Sequence, residues 1–237
     1  LRLYDQYRDL ITTAPLEIIY SGSAELDRVR QALAAAFATL PREEVRTIAD
    51  AVPHVCRESV QTVEDEMEVT QGKLSMGFSC GSDDMPALLL GNTLFGGSSN
   101  SKLFLNVREK LSLCYYASSM YHRQKGIITV SSGIEFQNYQ RAYDEILSQL
   151  AAVQNGELEE WELAGARSTL LNSYATVGDS QGKLENFYLG QAATGRSETP
   201  ADLAQAVMEV SAERICRAMS TVKLDTVYFL KGKEAQA

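Results

Sequence analysis

From Lys73 to Gly81 the chain alternates without a break, with Leu74, Met76, Phe78 and Cys80 set against Lys73, Ser75, Gly77 and Ser79. A period of two over that length predicts a strand with one buried face. Asp83-Asp84 follows as a cap, and "MPALLLGNTLF" predicts a helix with Pro86 tolerated in its first turn and Gly96-Gly97 at its end. Upstream, Leu16 to Tyr20 is a short β-rich run between Pro15 and Gly22, read as a buried strand. Ser23-Ala24-Glu25 then supplies an N-cap. Leu26, Val29, Leu33, Phe37 and Leu40 recur at helical spacing until Pro41 stops them. Arg42 to Pro53 is polar and irregular, a connection, and Ser59 to Asp65 alternates loosely.

After a glycine-serine turn and an amphipathic helical run, "CYYASSMYH" and "GIITVSSGI" predict a hairpin joined by "RQKG". The rest reads as mostly helical. Tyr139 to Val153 carries Ala142, Ile146, Leu150 and Val153 on one face, and Leu158 to Tyr174 carries Trp161, Leu163, Leu170 and Leu171. "GDSQG" breaks the pattern before "KLENFYLGQAATG"; Pro200 to Val210 and Ala212 to Met219 are two further helices, and "DTVYFLKG" is a closing strand. Strands and helices are partly segregated, so the expected fold is α+β: a layered, largely antiparallel sheet covered by helices. No short repeat or low-complexity tract interrupts it, and all 237 residues are expected to form one unit.

Composition narrows the partners. A formal charge of −9 disfavours nucleic acid and anionic membranes, both polyanions. No apolar run approaches the roughly 20 residues that cross a bilayer. The four cysteines, Cys56, Cys80, Cys114 and Cys216, have neither C-x-x-C spacing nor disulfide-scaffold density, which suits a reducing, cytoplasmic setting. The opening is neither a signal peptide nor a transit segment, and the first methionine is Met67, so the chain reads as part of a longer protein.

Complete chemistry is missing. His54 and His122 lie far apart and outside any H-x-x-x-H, H-E-x-x-H or H-x-x-E-H spacing. His54-Val55-Cys56 offers two donors at most, and a lone histidine beside an apolar cysteine is more often a packed residue than a ligand. No G-x-S-x-G elbow is present. "GGSSNS" matches neither phosphate-loop order and follows a helix instead of a strand. Glu159-Glu160 suits a helix start, and Glu64-Asp65-Glu66 reads as a solvated loop or strand side.

The segment "LFGGSSNSKLFLNVREKLSLCYYASS", Leu94 to Ser119, resembles the non-metal half of the pitrilysin/insulinase family, the inverted-motif zinc metallopeptidases that include the mitochondrial processing peptidases. "PLEIIYSGSAELDRV", "GDSQGKLENFY" and "DTVYFLKG" extend the likeness over nearly the whole chain, closest in form to bacterial members. The resemblance implies a protein of two similar α+β halves closing around a chamber for peptides. One half bears zinc on H-x-x-E-H; the other supplies an arginine and a tyrosine seven positions apart, matched here by Arg108 and Tyr115. A fixed guanidinium and a phenol near a scissile carbonyl would stabilise the oxyanion that develops there.

Alternative readings stand beside these. Arg108 also suits an exposed helix position paired with a neighbouring carboxylate, and Tyr115 a core-facing aromatic. Tyr116 competes with it, since adjacent strand residues face opposite sides and only one of the two should reach the chamber. Gly96 and Gly97 suit a hinge or a loop of close approach, or simply a helix stop at positive φ. Ser99, Asn100 and Ser101 are candidates for contact with peptide backbone.

The expectation is therefore a substrate-binding, non-metal half of a zinc peptidase, with no catalytic or metal-binding residue of its own and zinc on a complementary half. That half would come from the same polypeptide or a partner subunit, as a tandem chain or a dimer. The alternative is an inactive family member that binds a peptide or scaffolds a partner. A third reading, an independent α+β binding module, would make the motif coincidental.

Overall fold

The computed structural model describes residues 2–46 and 57–233. The His54-Val55-Cys56 candidate lies outside them. In chain order the elements are α1 (Arg2–Thr13), α2 (Leu26–Phe37), β1 (Gln61–Met67), β2 (Gly72–Cys80), α3 (Met85–Phe95), a π-helix (Leu103–Lys110), β3 (Cys114–His122), β4 (Ile127–Ile134), α4 (Tyr139–Gln154), α5 (Glu160–Ala175), α6 (Gln181–Ala193), α7 (Pro200–Met208), α8 (Ala212–Met219) and β5 (Val222–Gly232). They divide into two compact units, Leu1–Ala51 with Val177–Ser197, and Val52–Thr176 with Glu198–Ala237.

In the first unit the Arg42 guanidinium caps the C-terminal carbonyls of α1, donating to the Ile11 oxygen at 2.7 Å and the Ala14 oxygen at 2.6 Å. Arg46 forks onto the Asp9 carboxylate, the bidentate geometry that suits a guanidinium. Helix α2 forms where periodicity places it, but Val29, Leu33, Phe37 and Leu40 are only half-buried and Leu26 is exposed. Leu16 to Tyr20 is not a strand: the run has no ladder partner among the described residues, and Leu16, Ile18 and Tyr20 are exposed. A short apolar run becomes a strand only when a neighbour accepts its backbone hydrogen bonds.

The second unit is built on a five-stranded sheet of order β1-β5-β2-β4-β3. Every neighbouring pair is antiparallel except β1 with β5. The alternation of β2 holds: Leu74, Met76 and Phe78 are fully buried, beside Val130 and Ile128 of β4 in register. Each such side chain contributes roughly 1.5–3 kcal/mol. Helix α3 is apolar all round and is accordingly a core helix, with Leu88, Leu90 and Phe95 fully buried. Its start is fixed by Asp84, whose Oδ1 accepts from the Ala87 amide at 3.3 Å while the carboxylate takes both Nε and Nη2 of Arg214 on α8. Burial pushes the Asp84 carboxyl up, but these hydrogen bonds and the Arg214 and Arg217 charges outweigh it and hold it below its usual range.

The opposite sheet face carries Ser75 on β2, Thr129 and Ser131 on β4, and Tyr116, Ser118 and Met120 on β3, all exposed or half-buried. On α5 the buried stripe is Glu162, Ala166 and Leu170, so Trp161, expected on the packed face, is exposed. Glu159 and Glu160 do stand at that helix start, with the Glu159 amide donating to the Glu162 carboxylate at 2.9 Å.

Candidate functional site

The quoted turn and π-helix meet the β3 edge of that open face around a cavity of about 760 Å³. Arg108, Tyr115, Gly96, Gly97 and Ser99 all line it, although Gly96 and Tyr115 are nineteen positions apart. Asn100 is exposed on the same loop without lining the cavity. Ser101 is fully buried, its Oγ accepting from the Phe104 amide at 3.4 Å, so it caps the π-helix and offers nothing to a ligand.

The π-helix presents Arg108. Its widened turn is closed by the Leu111 amide on the Asn106 carbonyl and the Leu113 amide on the Val107 carbonyl, each 3.0 Å. Such turns are frequent at functional sites. Ser112, at φ 50°, makes the reversal into β3. Arg108 is held on three sides: Nε donates to the Tyr115 carbonyl at 3.0 Å, Nη1 lies 3.3 Å from Glu109 Oε1, and the guanidinium carbon sits 4.6 Å from the centre of the Phe104 ring. The local pairing with a neighbouring carboxylate is therefore real, yet it occupies one edge of the group. Nη2 makes no hydrogen bond among the described residues.

A bulge decides the tyrosines. Cys114 pairs with Ile134 and Tyr116 with Gly133, so Tyr115 is an extra residue in β3. The alternation that would turn one ring inward is interrupted, and both Tyr115, 77 % exposed, and Tyr116, 40 % exposed, line the cavity. Regular alternation resumes at Ala117. Neither ring is a core aromatic.

Gly96 and Gly97 are required for close approach, not for a left-handed stop: Gly96 has φ −156°, and neither is among the positive-φ glycines. The Gly96 carbonyl accepts from the Ser119 amide at 2.9 Å, and the Ser119 hydroxyl donates to the Asn92 carbonyl at 3.3 Å. A Cβ on Gly96 would stand 2.8 Å from the Ser119 nitrogen and 2.7 Å from Leu103 Cδ1. Gly96→Ala is expected to destabilise the fold by about 1–3 kcal/mol through that overpacking, read as a lower urea midpoint at unchanged slope, whereas Gly190→Ala, inside α6 with open space around its Cβ, should if anything raise it, since alanine is the better helix former.

Several lining residues carry no motif in the sequence. Ser118, Met120, Thr129 and Ser131 reach the cavity through cross-strand register, and His122 Nε2 lies 2.9 Å from Thr129 Oγ1. Helical and strand periodicity assign faces, but only the β3–β4 pairing places these positions side by side. Burial raises the Cys114 thiol above its usual range, and the opposing influence of Ser132 and of the Arg108 charge does not offset it, which favours the neutral form.

Among the described residues Arg108 is the one formally charged member of the lining, and no carboxylate or thiol joins His122 there. Catalytic zinc takes three protein ligands, so this donor set does not fit the metal. No group of three histidine, cysteine, aspartate or glutamate residues among those described could hold one. None of the described helices is long and apolar enough to cross a membrane.

Comparison with known proteins agrees with this architecture. The family described as the peptidase M16 inactive domain matches residues 2–170. A protein of Bacillus subtilis named probable inactive metalloprotease YmfF is 36 % identical over 98 % of this chain and 55 % of its own length. A conserved protein of Enterococcus faecalis superposes with TM-score 0.77 at 28 % identity, over 87 % of this chain and 50 % of that one. The peptidase M16 inactive domain from Pseudomonas fluorescens superposes with TM-score 0.73 at 16 % identity, over 90 % and 53 %, a likeness of fold. The chain thus spans about half the length of these relatives. With the Leu94–Ser119 motif folded around one cavity and the family match covering most of the sequence, the chain belongs to the peptidase M16 inactive-domain family.

Proposed function

We propose that residues 1–237 form the substrate-binding, non-metal half of a two-half peptidase, working in the cytoplasm with a complementary zinc-bearing half on the same polypeptide or a partner subunit. The observation that carries this reading is the Arg108–Tyr115 pairing: one guanidinium, anchored through the backbone of the tyrosine it works beside, in a cavity on the uncovered sheet face. Arg108 Nη2 and the Tyr115 hydroxyl, neither hydrogen-bonded among the described residues, are donors for a peptide carbonyl. Donors held before the substrate arrives stabilise a developing oxyanion most, because they need no reorganisation. Ser99 and the Gly97 backbone border the same space, with Asn100 on the loop beside them.

A second reading is favoured by the Bacillus relative, whose name describes it as probably inactive. In it the same cavity binds a peptide without cleaving it, or docks a partner. Zinc analysis of the natural full-length protein by elemental mass spectrometry, beside a general peptide-cleavage assay, separates the two. Near-stoichiometric zinc with chelator-sensitive cleavage is the outcome expected of the peptidase half; a metal-free protein that cleaves nothing selects the second reading.

A further inference from the structure

We infer that the cavity selects peptides carrying a carboxylate, and that Arg108 reads it. This rests on the peptide-binding reading and adds the chemical class of the ligand. The lining is unbalanced in two ways. Its side chains are donors or weak dual groups: the Arg108 guanidinium, the Tyr115 and Tyr116 phenols, His122 and a set of serine and threonine hydroxyls. Among the described lining residues none is a carboxylate or a carboxamide, so none offers the space a strong side-chain acceptor. A ligand that brings ammonium or guanidinium groups would find no counter-charge among the described lining residues and would lie against Arg108, whose partner Glu109 stands beside the cavity and not in its lining.

A carboxylate meets the opposite situation. Nε of Arg108 is committed to the Tyr115 carbonyl, Nη1 lies in an exposed ion pair 3.3 Å from Glu109, and the ring of Phe104 covers a guanidinium face. Nη2 remains, with the Tyr115 hydroxyl next along the wall. Hydrogen bonds from a guanidinium to an ionised acceptor are about twice as strong as neutral ones. The contrast with the rest of the molecule sharpens the point. The chain is acidic overall, at −9, and acidic side chains crowd β1, where Glu64 and Glu66 both pair with Lys231. The cavity is a local exception to that charge.

A carboxylate can come from an acidic side chain or from a peptide C-terminus, and the two are separable. Short fluorescent peptides of one neutral sequence, with Asp, Asn or Lys at a central position and each made with a free or amidated C-terminus, are titrated onto the natural full-length protein at low salt. The expected result is binding about tenfold tighter for a carboxylate-bearing peptide than for its Asn or amide counterpart, with the Lys form weakest. In Arg108→Gln, checked for native circular dichroism, the acidic peptide loses its advantage and the Asp and Asn forms bind alike. A preference confined to the free C-terminus assigns a terminal carboxylate; one confined to Asp assigns a side chain. Equal binding of the Asp, Asn and Lys forms and of acid and amide overturns the inference and leaves a peptide site. Failure of every peptide to bind overturns the peptide-binding reading with it.

Discussion

In the complete protein of the proposed two-half peptidase, Arg108→Ala is expected to lower kcat for hydrolysis of an uncharged peptide by about 10²–10³-fold, the range found on removing one oxyanion donor, with KM changed far less. That split follows from what the residue does in the proposed clamp. A peptide carbonyl in the ground state is a modest acceptor, and the charge that rewards a guanidinium appears only as the tetrahedral oxyanion forms. A loss confined to KM would instead show uniform binding of ground and transition states.

Tyr115→Phe removes one neutral donor and leaves the ring, so a loss of about tenfold is expected, in line with roughly 0.5–1.5 kcal/mol for such a hydrogen bond. Arg108→Lys should not rescue. The guanidinium holds the Tyr115 carbonyl through Nε and leaves Nη2 for the ligand, two directions at once from one plane. An ammonium is a point charge without that fork. If steady-state kinetics of the Arg108→Ala protein match those of the parent, the clamp reading is wrong. Where the full-length protein proves metal-free, the same variant is read by peptide affinity.

How far these elements were legible in the sequence depends on the distance over which each is determined. Strand β2 needed only its own alternation, and the start of α3 only Asp84 and Pro86, because both signals are local. The hairpin of β3 and β4 was equally plain. Helix α1 carries a local signal of the same kind: Leu3, Tyr7 and Leu10 recur at helical spacing. The Leu16–Tyr20 run failed for the reverse reason, since a strand is a property of its partner as much as of itself. Within the site, Arg108 and Tyr115 line one cavity, but their geometry depends on a bulge that no side-chain pattern announces. Met120, His122 and Thr129 were illegible as site residues because cross-strand register alone assembles them.

Lys102 shows the same limit and leads to the other large effect. In sequence it is one more basic residue beside a serine turn. In the fold it is buried, 8 % exposed, with Nζ 3.0 Å from both carboxylate oxygens of Glu162, itself 6 % exposed. The pair ties the end of the cavity loop, one residue before the π-helix, to the first turn of α5. Lys102→Met is expected to destabilise the protein by about 3–5 kcal/mol, because it strands a buried carboxylate without its counter-charge. Pairing it with Glu162→Gln should recover most of that loss: both charges are gone, and the carboxamide oxygen can still accept from the Glu159 amide that Glu162 now holds at 2.9 Å. Urea unfolding of the parent, Lys102→Met and the double variant tests this through midpoints at constant slope. A double variant as unstable as the single one would mean that packing around the lysine stem, and not charge burial, sets the cost. The recovered protein then answers a functional question. Glu162 and Lys102 line no part of the cavity, so any weakening of peptide binding in the stable double variant measures how much the site owes to a loop held in place from behind.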